Sequence, residues 1–176
     1  MRPAVEPLLT DEKIQGRIAE LAQEIAPQLQ PDAIVVTLMT GAFIFGADLA
    51  RALSRLGCTP ILDFMVLSSY GAGTETSGTV TTHLDVRENL TGRQVLLVDD
   101  ILDSGTTLRM ARNHLRAKGA ASVLTCVLLD KPARRRVDIQ ADFVGFEIPN
   151  LFVVGYGIDY AQNFRELPFV GHVRHP

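Results

Sequence analysis

Cysteine is scarce in this chain: Cys58 and Cys126 are the only two in 176 residues, and each lies in an apolar run. Two isolated thiols make no disulfide framework, and free cysteine behaves as a small buried hydrophobe, so a reducing, cytoplasmic setting is expected. Long apolar stretches are missing too, and none approaches the length that crosses a bilayer. The N-terminus, MRPAVEPLLTDEK, carries prolines and acids where a signal peptide needs an apolar core. The four histidines, His83, His114, His172 and His175, show no ligand spacing with cysteine, which argues against zinc. Positive charge is not in excess: the formal net charge of −3 offers no overall attraction for nucleic acid or an anionic membrane, and neither is an expected partner. Linkers, repeats and low-complexity segments are absent, so one domain over residues 1–176 is expected.

What is present is the material of a folded α/β protein, with 47% hydrophobic and 21% charged residues. Thr10 is placed to cap a helix whose first turn holds Asp11 and Glu12, with Ile14, Ile18, Leu21, Ala22 and Ile25 at helical spacing and Pro27 as its stop. Residues 33–39 (AIVVTLM) predict a buried strand, 43–56 a helix ended by Gly57, and 61–67 (ILDFMVL) a second strand. The glycine-rich stretch 68–78 (SSYGAGTETSG) predicts a mobile loop, and 79–84 one arm of a hairpin. A third strand is expected over 94–98, then a helix over 106–118 closed by Gly119, with Leu108, Ala111 and Leu115 inward. Further strands are expected at 122–129, 143–146 and 152–154. Strands alternating with helices predict a parallel sheet flanked by helices, with ligands beyond the carboxyl ends of the strands.

The chemistry gathers at 95–107, VLLVDDILDSGTT. The aliphatic run delivers Asp99 and Asp100 to a strand end, with Asp103 three residues beyond Asp100. Carboxylates this close repel one another unless cations or ligand hydroxyls balance them. Ser104, Gly105, Thr106 and Thr107 follow, directly before a helical pattern. A helix start offers unpaired N–H groups and partial positive charge, and glycine permits close approach, which together suit a phosphate. An aspartate before Ser-Gly-Thr is also common as plain capping, but the whole string is far more specific.

With this string in place, the chain resembles the type I phosphoribosyltransferases, specifically the hypoxanthine–guanine enzymes of purine salvage. Further motifs occur in the family's order from Ala33 onward: TLMTGAFIF, LSSYG, LLDKP and FVVGYGIDYAQNFR. The resemblance implies a central parallel sheet flanked by helices, with a small hood built from the N- and C-terminal segments. It implies transfer of ribose 5-phosphate from phosphoribosyl pyrophosphate to a 6-oxopurine, with magnesium as cofactor and a dimer or tetramer as the assembly. Residue by residue, it assigns Asp99 and Asp100 to the ribose hydroxyls and magnesium. Asp103 goes to the base near N7 as the catalytic residue, and 103–107 to the 5′-phosphate. The pyrophosphate loop is 39–41, with Thr40 and Gly41 and a peptide after Met39 that is often cis in the family; Arg165 also contacts pyrophosphate. Ser69 and Tyr70 belong to a lid that keeps water from the activated ribose. Lys131 donates to the purine O6, Phe152 stacks on the base, and Val153 bonds its edge. Asp159 either accepts from the surroundings of the guanine amino group as a purine-binding residue or, as the family supports, holds a second magnesium. Thr40 departs from the lysine or arginine of many relatives and brings no charge to that loop.

Without the family, several of these residues read blandly. Lys131 and Arg165 are ordinary solvated cations, Phe152 and Val153 plain core, and Arg134–Arg136 a solvated loop or a subunit contact. DDxxD also binds magnesium–pyrophosphate in prenyl-chain synthases, but there on helices of an all-α fold. A pyrimidine attenuation regulator built on the same fold would need an extended basic face for RNA. The sequence does not rank hypoxanthine, guanine and xanthine.

Overall fold

The computed structural model describes residues 3–69 and 80–173. Helix α1 (Asp11–Ile25) begins as its sequence predicts: the Lys13 amide donates to Thr10 Oγ1 at 3.4 Å, and Asp11 and Glu12 occupy the first turn. Ile14, Ile18, Leu21, Ala22 and Ile25 are all buried, so the helix is held by its apolar stripe. Helices α2 (Phe43–Arg55) and α3 (Thr106–Ala117) likewise turn an apolar face inward.

The main sheet contains β2 (Ile34–Met39), β3 (Ile61–Ser69), β4 (Val80–Leu84), β5 (Gln94–Leu102), β6 (Ser122–Asp130) and β7 (Phe143–Glu147), in the order β4-β3-β2-β5-β6-β7. Every neighbouring pair is parallel except β3 with the edge strand β4. Helices cover both faces: α1 and α2 bury Val35, Leu96, Val98 and Cys126, and α3 buries Ile34, Val36, Val95 and Leu97 on the other side. Two-sided cover explains why these strands are continuous apolar runs without alternation. Among the described residues no helix is long and apolar enough to cross a membrane.

Three features differ from the sequence expectation, the first being that β3 runs on to Ser69, two residues into the stretch expected as a loop. The strand expected over 94–98 continues to Leu102, so Asp99 and Asp100 lie within β5 and not in a turn after it. Asp is a poor strand former, but pairing with β6 continues past it, with Asp99 opposite Val127 and Leu102 opposite Asp130. The segment 152–154 also belongs elsewhere. β8 (Val153–Val154) joins β1 (Val5–Leu9) and β9 (Val170–Val173) in a separate antiparallel sheet ordered β1-β9-β8. This is the hood of terminal segments that the resemblance implies. Its strands gave little local signal, because β1 carries Pro7 at an irregular register and no clear alternation of burial.

Candidate active site

The carboxyl ends of β2 and β5 open into a cavity of about 250 Å3, lined by Met39, Gly41, Asp99, Asp100, Asp103, Ser104, Gly105 and Thr107 among others. The helix start on its rim is built around Gly105, whose φ of +84° is left-handed. A Cβ there would also lie 2.5 Å from Ile139 Cγ2, so position and conformation both require glycine. The Thr106 amide donates to Ser104 Oγ at 3.3 Å, and the two hydroxyls are 3.3 Å apart. Thr107 is exposed on the cavity wall, while Thr106 is half-buried and outside the lining.

Asp99 is buried, with one oxygen accepting the Asp100 amide at 3.0 Å. Burial, and then the neighbouring Asp100 charge, push the Asp99 carboxyl well above the usual carboxylate range. Burial raises Asp100 as well, although hydrogen bonds and the Arg165 charge oppose it. Both therefore bind protons more tightly in the folded state. The stability they contribute is full below the unfolded carboxylate range and is lost as pH rises through their folded values. Asp99→Asn should accordingly raise Tm near neutral pH by roughly 3 °C, an advantage absent below about pH 4. Thermal scans across pH test this, and an unchanged or lower Tm at neutral pH contradicts it.

Opposite the acids stands the loop after β2. The Met39–Thr40 peptide is cis, as the resemblance implies. Thr40 is exposed and outside the cavity lining, with its carbonyl accepting from Phe43 N at 3.3 Å. Gly41 faces Asp100 so closely that a Cβ would lie 2.5 Å from Oδ2. From the hood side, Gly157 (φ +98°) comes so near that its own Cβ would meet the Gly41 carbonyl at 2.1 Å. The Gly157 carbonyl accepts from Arg165 Nη1 at 2.7 Å, and Arg165 Nη2 lies 2.7 Å from Asp159 Oδ1. Buried Tyr156 fixes this turn by donating to Asp48 of α2 and lying 3.3 Å from Gln15 Nε2 of α1. Nothing in local sequence marks Gly157 or Tyr156 as part of the site beyond their place in the GYG string.

A second cavity, also about 250 Å3, is lined by Ile101, Asp103, Lys131, Arg134, Asn150, Leu151, Phe152, Val153, Ile158 and Asp159. Phe152 is 43% exposed and meets Tyr160 edge-on at 5.4 Å, leaving a ring face for a planar ligand. Val153 is buried in β8, opposite His172. Lys131, read as solvated from sequence alone, is only 6% exposed, and burial lowers its hold on the proton against the pull of Asp103. Arg134 Nε lies 2.8 Å from Asp103 Oδ1, an ion pair outside hydrogen-bond geometry. It leaves that buried oxygen without a hydrogen-bond donor among the described residues. Of the run expected as a solvated loop or a subunit contact, Arg134 is exposed while pairing with Asp103, and the expectation is corrected at Arg135, which is folded inward onto Asp130 and the carbonyls of Leu102 and Asp103. Only the third arginine, Arg136, is exposed without an acidic partner among the described residues.

Among the described residues no three acidic, cysteine or histidine groups converge as a metal cluster. Asp159 has one oxygen on Arg165 and the other accepting Gln162 N at 2.8 Å, so Asp99, Asp100 and Asp159 are not gathered into one ligand set. The adjacent pair Asp99 and Asp100 still fits magnesium, which takes one or two carboxylates and completes its shell with ligand oxygens and water. Ser69 is the last residue of β3, and Tyr70 with the rest of the expected lid lies outside the described residues.

Comparison with known proteins agrees with this geometry. Residues 5–161 match the phosphoribosyl transferase domain family. The hypoxanthine phosphoribosyltransferase of Salmonella typhimurium is 44% identical, covering 98% of this chain and 97% of its own. The hypoxanthine-guanine phosphoribosyltransferase of Aquifex aeolicus is 47% identical, over 93% of this chain and 91% of its own. A solved Trypanosoma cruzi hypoxanthine phosphoribosyl transferase, studied for the role of its C-terminal region in oligomeric state and activity, superposes with a TM-score of 0.92 at 39% identity, over 99% of this chain and 93% of its own. Acidic strand end, glycine-headed helix, buried lysine and terminal hood are carried on a fold shared over nearly the full length, and the chain belongs to the type I phosphoribosyltransferase family, on its hypoxanthine phosphoribosyltransferase branch.

Proposed function

We propose that this chain transfers the 5-phosphoribosyl group of phosphoribosyl pyrophosphate to hypoxanthine or guanine, releasing pyrophosphate and the nucleoside monophosphate. One observation carries the reading: Ile101 and Asp103 stand in the wall of both cavities, so a phosphate-binding space and a base-binding space meet at a carboxylate. The amides of 103–107 and the hydroxyls of Ser104 and Thr107 hold the 5′-phosphate, with Thr106 supporting Ser104, and Asp99 and Asp100 face the ribose hydroxyls. Gly41 gives the pyrophosphate backbone access, and the Arg165 guanidinium suits its charge once ligand competes with Asp159. Thr40 joins that loop without a charge. Phe152 stacks on the base, the Val153 backbone bonds its edge, and Lys131 donates to O6, the group adenine lacks.

As the bond from C1′ to pyrophosphate breaks, positive charge grows on the ribose, and the buried acids beside it stabilise that charge in a low-dielectric site. N9 of the base then bonds C1′, and the N7 proton passes to Asp103, whose buried oxygen lacks a donor before ligand arrives. Magnesium on Asp99 and Asp100 would neutralise charge on the leaving group; Asp159 is its second site only if Arg165 is drawn away. We assign the protein to the cytoplasm, in keeping with its two free thiols.

A spectrophotometric assay with donor, magnesium and each base tests the reading. Hypoxanthine or guanine should yield one pyrophosphate per nucleotide and adenine none; turnover of adenine, or of no base, overturns it.

The assembly is a homo-oligomer on this reading, supported by an uncovered apolar face. Leu62 and Phe64 of β3 stand opposite Val35 and Thr37, on the side of the sheet where α2 packs on β2 and β5. They are 51% and 45% exposed, with Leu84 of β4 beside them at 38%. Phe64→Glu should shift the protein toward monomer in light scattering, and an unchanged mass means the subunits meet elsewhere.

A further inference from the structure

We propose that Arg135 is a positioning residue for the phosphate cradle, a role that rests on the reading of 103–107 given above. Its Nη1 donates to the carbonyls of Leu102 at 2.9 Å and Asp103 at 2.5 Å, while Nη2 pairs with Asp130 at the end of β6. The next carbonyl, of Ser104, accepts the Arg136 amide at 2.9 Å. The Leu102 carbonyl also accepts the Lys131 amide at 3.0 Å. Three successive carbonyls of the turn are therefore held by the single segment 131–136.

In a trans peptide the carbonyl and the following N–H point in opposite directions. Drawing the carbonyls of 102, 103 and 104 toward Arg135 and Arg136 turns the amides of Asp103, Ser104 and Gly105 to the other side, and these residues form the wall of the first cavity. Successive amides on one side, next to a left-handed glycine, make a concave anion seat. The arginine stem lies against that glycine as well, since a Cβ on Gly105 would be 3.1 Å from Arg135 Cδ. The same guanidinium is anchored by Asp130, the residue before Lys131, so the cradle and the base-binding lysine are tied to one strand end. A flat guanidinium reaches two carbonyls and a carboxylate together, which an ammonium does not.

The test compares inosine 5′-monophosphate with inosine by calorimetry, because the ratio of their affinities isolates the 5′-phosphate. Arg135→Ala should reduce that ratio by about tenfold, the loss expected when charge-assisted hydrogen bonds that orient the seat are removed. Arg135→Lys, which keeps a cation for Asp130, should recover thermal stability while recovering little of the ratio. Variants that weaken both ligands equally, or keep the wild-type ratio, overturn the positioning role. A wild-type protein with no preference for the monophosphate overturns the cradle itself and the arginine's role with it.

Discussion

Asp103→Asn should lower kcat by about two to four orders of magnitude, the range that a positioned general base commands. KM for phosphoribosyl pyrophosphate should change by only a few-fold. The substitution nearly preserves shape, and the backbone of residue 103, which serves the phosphate, is untouched. Asp103 stands in the wall of both cavities, and its buried Oδ1 has the Arg134 charge beside it but no hydrogen-bond donor among the described residues. An amide there still accepts one hydrogen bond but cannot take a proton, and with Arg134 alongside, its NH2 end faces a like-signed donor. Steady-state kinetics with hypoxanthine decide the matter. A variant with full turnover removes Asp103 from the proton path, and a large loss confined to donor KM makes it a phosphate ligand instead.

Lys131→Met should raise KM for hypoxanthine or guanine by roughly a hundredfold, with donor KM and melting temperature nearly unchanged. The lysine is 6% exposed in the wall of the second cavity, and among the described residues no carboxylate lies within ion-pair distance of its ammonium. The stem is buried and the ammonium opens on the cavity, placed to donate to a ligand oxygen there. Methionine keeps the aliphatic stem and removes the charge, so the folded protein loses little while the 6-oxo group loses its partner. Adenine should remain a non-substrate, because loss of the donor provides nothing new for its amino group. Equal rises in base and donor KM would mean that the lysine supports the whole site and does not select the base.

The second of these effects lies where sequence reasoning was weakest. A lysine after a strand is ordinarily solvated, and only the LLDKP resemblance singles it out; its low exposure goes with a cavity wall shared with Ile101, Asp103, Val153 and Ile158, residues distant in the chain. The arginine run shows the same limit more sharply. Arg134, Arg135 and Arg136 are identical in type, yet one pairs with Asp103 while still exposed, one is turned inward behind the turn, and one is exposed with no acidic partner among the described residues. Charge alone predicts solvent for all of them, and the turn that Arg134 and Arg135 meet, at Leu102 and Asp103, lies far back in the chain at the end of another strand. Asp99 and Asp100 were recognisable as functional acids, but their seat inside β5 depends on pairing with β6, which local propensity does not register.

What the amino-acid order determined by itself was local or strongly patterned: the capped first helix, the apolar runs that demand cover on both faces, and the DDILDSGTT string with its acids and glycine. These follow from propensity, periodicity and adjacent charge, all of which act within a few residues. Only the tertiary structure decided which of those groups share a wall. It brought Gly157 against Gly41, folded the two chain ends into one hood sheet, and set Arg135 behind the turn. Such contacts join residues far apart in the chain, and burial and hydrogen-bond geometry, which select among identical side chains, exist only once the sheet has formed.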